Sequence, residues 1–186
     1  MLLPWNVQSV AIRSWSVPLP DDFPFVVERL ERHERRDFSC GVEPLDRYFR
    51  SQVSQDVRRR LTTCFVARER EGARVAGFYT LAACHILLSD LPDETVRRLP
   101  RYPSVPAARI GRLAVDTAFK GRGLGSALLA NAAARSLSAA IAVFAFVVDA
   151  KDDQAAAFYR HHGFIDLHEE SKTLFIPMRA FSERLR

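Results

Sequence analysis

Apolar positions in this chain change their period several times, and each change marks an element. Residues 25–29 (FVVER) and 62–68 (TTCFVAR) are short runs rich in Phe, Val and Thr, a strand composition. Between them Leu45, Tyr48, Phe49 and Val53 recur at helical spacing, predicting a helix that opens near Glu43-Pro44 and buries one stripe. Proline is tolerated there because a first-turn amide has no intrahelical partner. A second short helix is predicted through Asp56 and the triplet Arg58-Arg59-Arg60. Residues 74–88 read as a long strand joined to 62–68 by a hairpin at Glu71-Gly72. Residues 90–106 are polar and proline-studded, a connection with one helical turn at 93–98. A strand at 108–115, a glycine-rich loop and an Ala/Leu-rich helix at 126–139 come next. The continuous apolar run 141–148 has the length of a strand covered on both faces. A helix at 152–161 and strands at 164–167 and 172–178 complete the order β-αα-ββ-β-α-β-α-ββ, an α/β domain. Residues 1–22, with three prolines and little periodicity, read as an irregular N-terminal arm, and 23–186 as a single domain.

The densest chemistry lies in Lys120-Gly121-Arg122-Gly123-Leu124-Gly125, between a strand and a helix. Glycines at alternate positions remove Cβ atoms and admit φ > 0, so backbone N–H groups can converge on a nearby group. A helix begins there, and its leading amides are unpaired donors at the positive end of the dipole. Lys120 and Arg122 add charge, and a phosphate or pyrophosphate is the natural occupant. A Walker loop requires Gly-x-x-x-x-Gly-Lys-[Ser/Thr], which is missing, and the Gly-x-Gly-x-Gly spacing is not the Gly-x-Gly-x-x-Gly of dinucleotide folds. A plain helix-starting turn would need neither three glycines nor two cations.

Composition narrows the partners. A formal charge of +5 and a pI near 9.5 favour an anionic partner, which a polyphosphate cofactor satisfies in part and a nucleic acid more fully. No run of about 18 apolar residues suggests a membrane span, and the first twenty residues lack the charged flank, apolar core and cleavage site of a secretory signal. Cys40, Cys64 and Cys84 are odd in number and widely spaced, as expected of reduced thiols in the cytoplasm. The five histidines share no ligand spacing with them, so no metal is expected. His161 and His162 read as solvated residues at a helix C-terminus, and His85 as a core histidine rather than part of an acceptor cleft.

The loop resembles the central [Gln/Arg]-x-x-Gly-x-[Gly/Ala] motif of the GNAT superfamily of acyl-CoA-dependent N-acetyltransferases, with Lys120 replacing Gln or Arg. Arg112-Leu113-Ala114-Val115-Asp116 resembles the strand that pairs with the pantetheine arm, and Phe158-Tyr159-Arg160-His161-His162-Gly163-Phe164 resembles the family's aromatic-Tyr-x-x-x-Gly-Phe signature. The likeness spans residues 38–178, and the two motifs stand in the family's order roughly 35 residues apart. It implies a mixed, mostly antiparallel sheet of about six to seven strands, helices on both faces and a splayed parallel pair in the middle. A narrower likeness, to the acetyltransferase toxins of toxin–antitoxin pairs, rests on Phe38-Ser39-Cys40-Gly41-Val42-Glu43-Pro44-Leu45-Asp46, Leu99-Pro100-Arg101-Tyr102-Pro103, the strand above and Val148-Asp149-Ala150-Lys151-Asp152. Such toxins acetylate the α-amine of aminoacyl-tRNA, block translation and are neutralised by a small ribbon-helix-helix antitoxin. A homodimer is a further assembly left open.

By this resemblance acetyl-CoA is the co-substrate, and its contacts fall on Leu113, Ala114, Val115, Lys120, Gly121, Arg122, Gly123, Leu124, Gly125, Ser126 and Asp152. Capping of the following helix explains Asp152 better than catalysis does. Tyr159 is the expected catalytic residue, protonated near neutral pH and able to donate to a departing thiolate; packing beside Phe158 is its alternative role. An oxyanion donor is expected among the N–H groups of Leu113 and Val115. An α-amine, with a pKa near about 7.7 against about 10.4 for lysine, needs little help to lose its proton, so positioning carries most of the catalysis. Arg58, Arg59 and Arg60, with Arg47 and Arg50 earlier, could grip a phosphate backbone, or form an ordinary solvated face. Two other readings stand: an acetyltransferase for a small-molecule or protein amine, and a non-catalytic acyl-CoA or RNA-binding module.

Overall fold

The structure, a computed structural model, describes residues 23–167 and 171–184. The proposed arm, residues 1–22, lies outside the described residues. Seven strands form one sheet in the order β1-β2-β3-β4-β5-β7-β6. They are β1 (Phe25–Arg29), β2 (Thr63–Glu69), β3 (Val75–Leu87), β4 (Ser104–Val115), β5 (Ala145–Asp149), β6 (Ile165–Asp166) and β7 (Thr173–Pro177). Pairing is antiparallel at β1–β2, β2–β3, β5–β7 and β6–β7, and parallel at β4–β5. The parallel register runs from Ala107↔Ala145 to Ile110↔Val148, while β4 continues five residues further to Val115. This is the mixed, mostly antiparallel architecture that the resemblance implied.

The chain divides into two compact units. In the first, residues 23–81 and 112–135, an aromatic core forms beneath the N-terminal helices. Phe49 stacks on Phe78 with ring centroids 4.0 Å apart, and Phe38 meets both edge-on. The helical run is continuous: α1 (Glu43–Arg47) passes through a π-helical turn at Tyr48–Gln52 into α2 (Val53–Arg58). The Val53 amide donates to the Tyr48 carbonyl five residues back, and this wide turn keeps Tyr48, Phe49 and Val53 all buried. The separate second helix expected around Asp56 is therefore the end of the first. Arg58 is the last residue of α2, Arg59 caps it and Arg60 has φ 59°, so the arginine triplet ends the helix instead of forming one of its faces.

Helix α4 (Leu124–Leu137), after the short α3 (Asp93–Val96), lies close to β3 in this unit. A Cβ on Gly77 would fall 2.9 Å from Leu128 Cδ1 and 3.0 Å from the Ala114 carbonyl oxygen, so a side chain there would require both neighbours to shift. Tyr79 donates to Asn131 Oδ1 at 2.7 Å, and Arg135 donates to the same oxygen and lies over the Phe65 ring, fastening the middle of α4.

The second unit holds residues 82–111 and 136–184, with Ile86, Leu91, Val105, Ala107, Ala145, Val147 and Phe175 as one buried cluster. Three expectations change here. β4 begins at Ser104, four residues early; it admits Pro106, which is exposed and whose carbonyl accepts from Phe144 N at 2.9 Å. The apolar run 141–148 becomes strand only from Ala145, where pairing to Ala107 and Pro177 starts, and Ile141 is 66% exposed. Helix α5 (Asp153–His161) forms as expected, with Asp152 as its cap; a terminal helix, α6 (Met178–Arg184), was not foreseen.

Candidate active site

The loop that enters α4 has the conformation its glycines suggested. Gly121 and Gly123 both sit at φ +74°, and no heavy atom lies within 4 Å of where a Gly121 Cβ would project. A side chain is excluded at Gly121 by backbone conformation, with open space above it. Gly123 supplies the first helical carbonyl, accepting from Ala127 N at 3.1 Å, so the amides that follow head a fourteen-residue helix. Leu124 is 1% exposed and Ala114 6%, so any contact they make with a ligand is through the main chain. Leu113 and Val115 are half-buried on the opposite side of the strand from Ala114.

Cations near this loop have different duties. Arg122 lies over the Phe119 ring at 5.5 Å and is exposed. Lys120 donates from Nζ to the Cys40 carbonyl at 2.7 Å. Arg112, just before the candidate pantetheine strand, stacks 3.5 Å above the buried Tyr48 ring, whose hydroxyl donates to Asp56 at 3.0 Å. Burial, then the bond to Asp56, pushes the Tyr48 phenol up to about 12.

Two buried carboxylates near the loop escaped sequence reasoning. Asp116 is 1% exposed and accepts from Ser39 N, Ala118 N and the Arg74 guanidinium at 2.9–3.1 Å. Asp46, 2% exposed, accepts from Cys40 N at 2.7 Å and Ser39 Oγ at 3.1 Å. Burial opposes its ionisation, yet these donors and Arg50 hold its carboxyl below the usual value. The same environment, burial first and Asp46 second, raises the Cys40 thiol to about 11. An Asp ending a strand or in the first turn of a helix is ordinarily solvated, and nothing in its spacing announces burial.

In the second unit Tyr159 is 8% exposed on α5, packed edge-on to Phe158 and against Phe164. Burial pushes its phenol up to about 12, and among the described residues its hydroxyl has no hydrogen-bond partner. Asp152 accepts from Ala155 N at 2.8 Å and pairs with Lys151, which first, with that amide second, lowers its pKa. Asp149 pairs with Arg109 and accepts from Thr173. His85 is exposed, not a core histidine, because it falls on the outward side of β3 next to buried Ile86. His162 caps α5 and makes a 2.7 Å contact with the Phe158 carbonyl.

Arg58, Arg59 and Arg60 are exposed and make no ion pair among the described residues. Arg50 is committed elsewhere: it donates twice to the Phe38 carbonyl, at 2.7 and 3.0 Å. It therefore leaves the group of candidate phosphate-gripping cations. Among the described residues no cluster of three or more His, Cys, Asp or Glu could hold a metal, and no helix is long and apolar enough to cross a membrane.

A mixed sheet with one parallel pair, and a glycine-rich strand-to-helix loop after its fourth strand, define an acyl-CoA transferase scaffold. Residues 60–166 match the acetyltransferase (GNAT) domain family, and the chain belongs to that family. It is 41% identical over 129 residues to the tRNA-acetylating toxin of Mycobacterium tuberculosis, covering 68% of this chain and 75% of that protein. Among solved structures, AtaT complexed with acetyl-methionyl-tRNAfMet superposes with a TM-score of 0.77 at 25% identity, covering 86% of this chain and 98% of that one. AtaTR bound with AcCoA gives 0.74 at 27% identity, covering 86% and 97%.

Proposed function

We propose that this protein is a toxin that transfers acetyl from acetyl-CoA to the α-amine of aminoacyl-tRNA, blocking translation. The observation that carries the donor half is the pair of left-handed glycines at the head of α4, with open space above Gly121. Likeness to a tRNA-acetylating toxin and to a structure holding acetyl-methionyl-tRNAfMet supports the acceptor half. The basic balance of the chain suits a polyanionic substrate.

Acetyl-CoA supplies an activated acyl group and a thiolate leaving group. The amides after Gly121 hold its diphosphate, and the exposed guanidinium of Arg122 adds charge. Main-chain N–H groups of Leu113 or Val115 stabilise the negative oxygen that develops as the amine attacks. Tyr159, neutral at every pH the cell reaches, donates its proton as the carbon–sulfur bond breaks. The ammonium formed as the amine adds gives up its proton as the thiol departs, which returns the tyrosyl oxygen to its protonated form and balances the charge. A dedicated carboxylate base is unnecessary, since an α-amine near about 7.7 is partly neutral at pH 7. Arg58, Arg59 and Arg60 contact tRNA phosphates. A ribbon-helix-helix antitoxin restrains the protein in the cytoplasm, and a homodimer is its working assembly.

Purified protein, labelled acetyl-CoA and a complete set of charged tRNAs test this directly. Label should appear on the α-amine of one or more aminoacyl-tRNAs, and deacylated tRNA should accept none. Label passing equally to free amino acids, polyamines or lysine peptides would overturn the tRNA assignment while leaving the transferase intact.

A further inference from the structure

We infer that the segment 38–41 acts as a buttress for the diphosphate-binding loop, with Lys120 and Asp116 as positioning residues and Lys120 serving as a strut, not a phosphate ligand. The inference rests on the acetyl-CoA reading above. Its ground is a set of bonds, all within the first unit, that join two segments eighty residues apart in sequence. Lys120 Nζ donates to the Cys40 carbonyl at 2.7 Å, and Thr117 N donates to the Ser39 carbonyl at 2.8 Å. Ser39 N donates to Asp116 Oδ2 at 3.1 Å, while Asp116 Oδ1 accepts from Ala118 N at 2.9 Å and Arg74 at 3.1 Å. On the far side of the segment Asp46 accepts from Ser39 Oγ and Cys40 N.

The consequence is mechanical. Gly121 and Gly123 give the loop freedom to reach φ +74°, and that freedom alone would leave its amides scattered over several conformations. An anion site built from main-chain donors gains affinity in proportion to how far it is fixed before the ligand arrives. Here the residue immediately before the first glycine is tied by its side chain, and the residues before that by their amides. Phe119 is 5% exposed and lies beneath both Arg74 and Arg122, at 5.2 and 5.5 Å, so the base of the loop is also packed. The segment's own glycine belongs to the same device. Gly41 sits at φ +80°, and a Cβ there would lie 3.9 Å from Lys120 Nζ and 3.6 Å from Thr117 Cγ2.

The readout is the preference for acetyl-CoA over S-acetyl-pantetheine, a donor that ends before the diphosphate. Lys120→Met should raise KM for acetyl-CoA about tenfold with kcat changed less than about twofold, while its deficit relative to the parent disappears with the truncated donor. Lys120→Arg, which can still reach a carbonyl, should recover most of the KM. Asp116→Asn, whose amide nitrogen faces one of the donors, should behave as Lys120→Met does although it cannot touch phosphate. If it fails to fold, Gly41→Ala serves in its place, acting through left-handed strain beside Lys120. Equal losses with both donors, or Asp116→Asn and Gly41→Ala binding acetyl-CoA as the parent does while Lys120→Met does not, would overturn the inference and make Lys120 a direct ligand. A parent protein inactive with acetyl-CoA would instead refute the transferase reading beneath it.

Discussion

Tyr159 shows how burial prepares a side chain for one of two duties. Its ring packs between Phe158 and Phe164, as any core aromatic would, yet its hydroxyl has no partner among the described residues. The Tyr159 hydroxyl is not among the fully buried polar atoms, so it is open to an incoming group, whereas the Tyr79 hydroxyl is used up by Asn131. Tyr159→Phe keeps the ring and removes the proton, so kcat should fall about 100-fold or more, the range of a general acid. The dissociation constant for acetyl-CoA, read by calorimetry, should stay within about twofold of the parent. Unchanged kcat would reduce the residue to packing. The helix that carries Tyr159 was legible from the sequence pattern, and the left-handed loop before α4 from the spacing of its glycines. The burial of Asp46 and Asp116 was not, because an isolated acidic residue at the end of an element has the same appearance whether solvent or protein donors surround it.

Among the elements, the run from α1 to α2 and the helix α4 carry the clearest consequences. The helical spacing of Tyr48, Phe49 and Val53 was readable, but a π-helical turn adds a residue per turn and leaves no mark on an apolar pattern. That turn joins two expected helices into one and leaves Arg58, Arg59 and Arg60 at its exposed C-terminal end. Replacing all three with alanine should reduce the slope of log affinity for tRNA against log salt by about 2, since each lost phosphate contact removes about 0.7–0.9. A slope equal to the parent's would make the triplet an ordinary solvated face. Helix α4 depends on Gly77, where an added methyl would meet the Ala114 carbonyl as well as the flexible end of Leu128. Gly77→Ala should lower unfolding free energy by about 1–3 kcal/mol, the usual range of overpacking, measurable in urea. Stability equal to the parent's would mean that the helix shifts freely on the sheet.

Over the whole molecule, the mixed sheet with its parallel pair followed from the sequence likeness, the placement of β7 between β5 and β6 did not, and the boundaries that failed share one physical cause. Pairing registers, not apolar content, decide where β4 and β5 begin, and a register joins residues distant in the chain. The collective electrostatics yield a prediction of their own. Burial raises the Cys40 thiol to about 11 and holds Cys64, Tyr48 and Tyr159 near 12. In the unfolded chain these groups lose protons near about 8.5 for Cys and about 10 for Tyr. The folded state thus binds their protons more tightly, so their contribution to stability is complete below about pH 8.5 and is lost as pH climbs toward 12. Urea midpoints should be level between pH 6 and 8 and fall steadily from pH 9 to 11; a midpoint that holds or rises there would contradict the assigned burial.

The account turns on what occupies the loop before α4, and a crystal structure of the acetyl-CoA complex measures that most directly. The diphosphate should lie against the main-chain amides between residues 121 and 126, with Lys120 still bonded to the Cys40 carbonyl. A diphosphate bound elsewhere, or a loop whose amides face the protein interior in the complex, would contradict it.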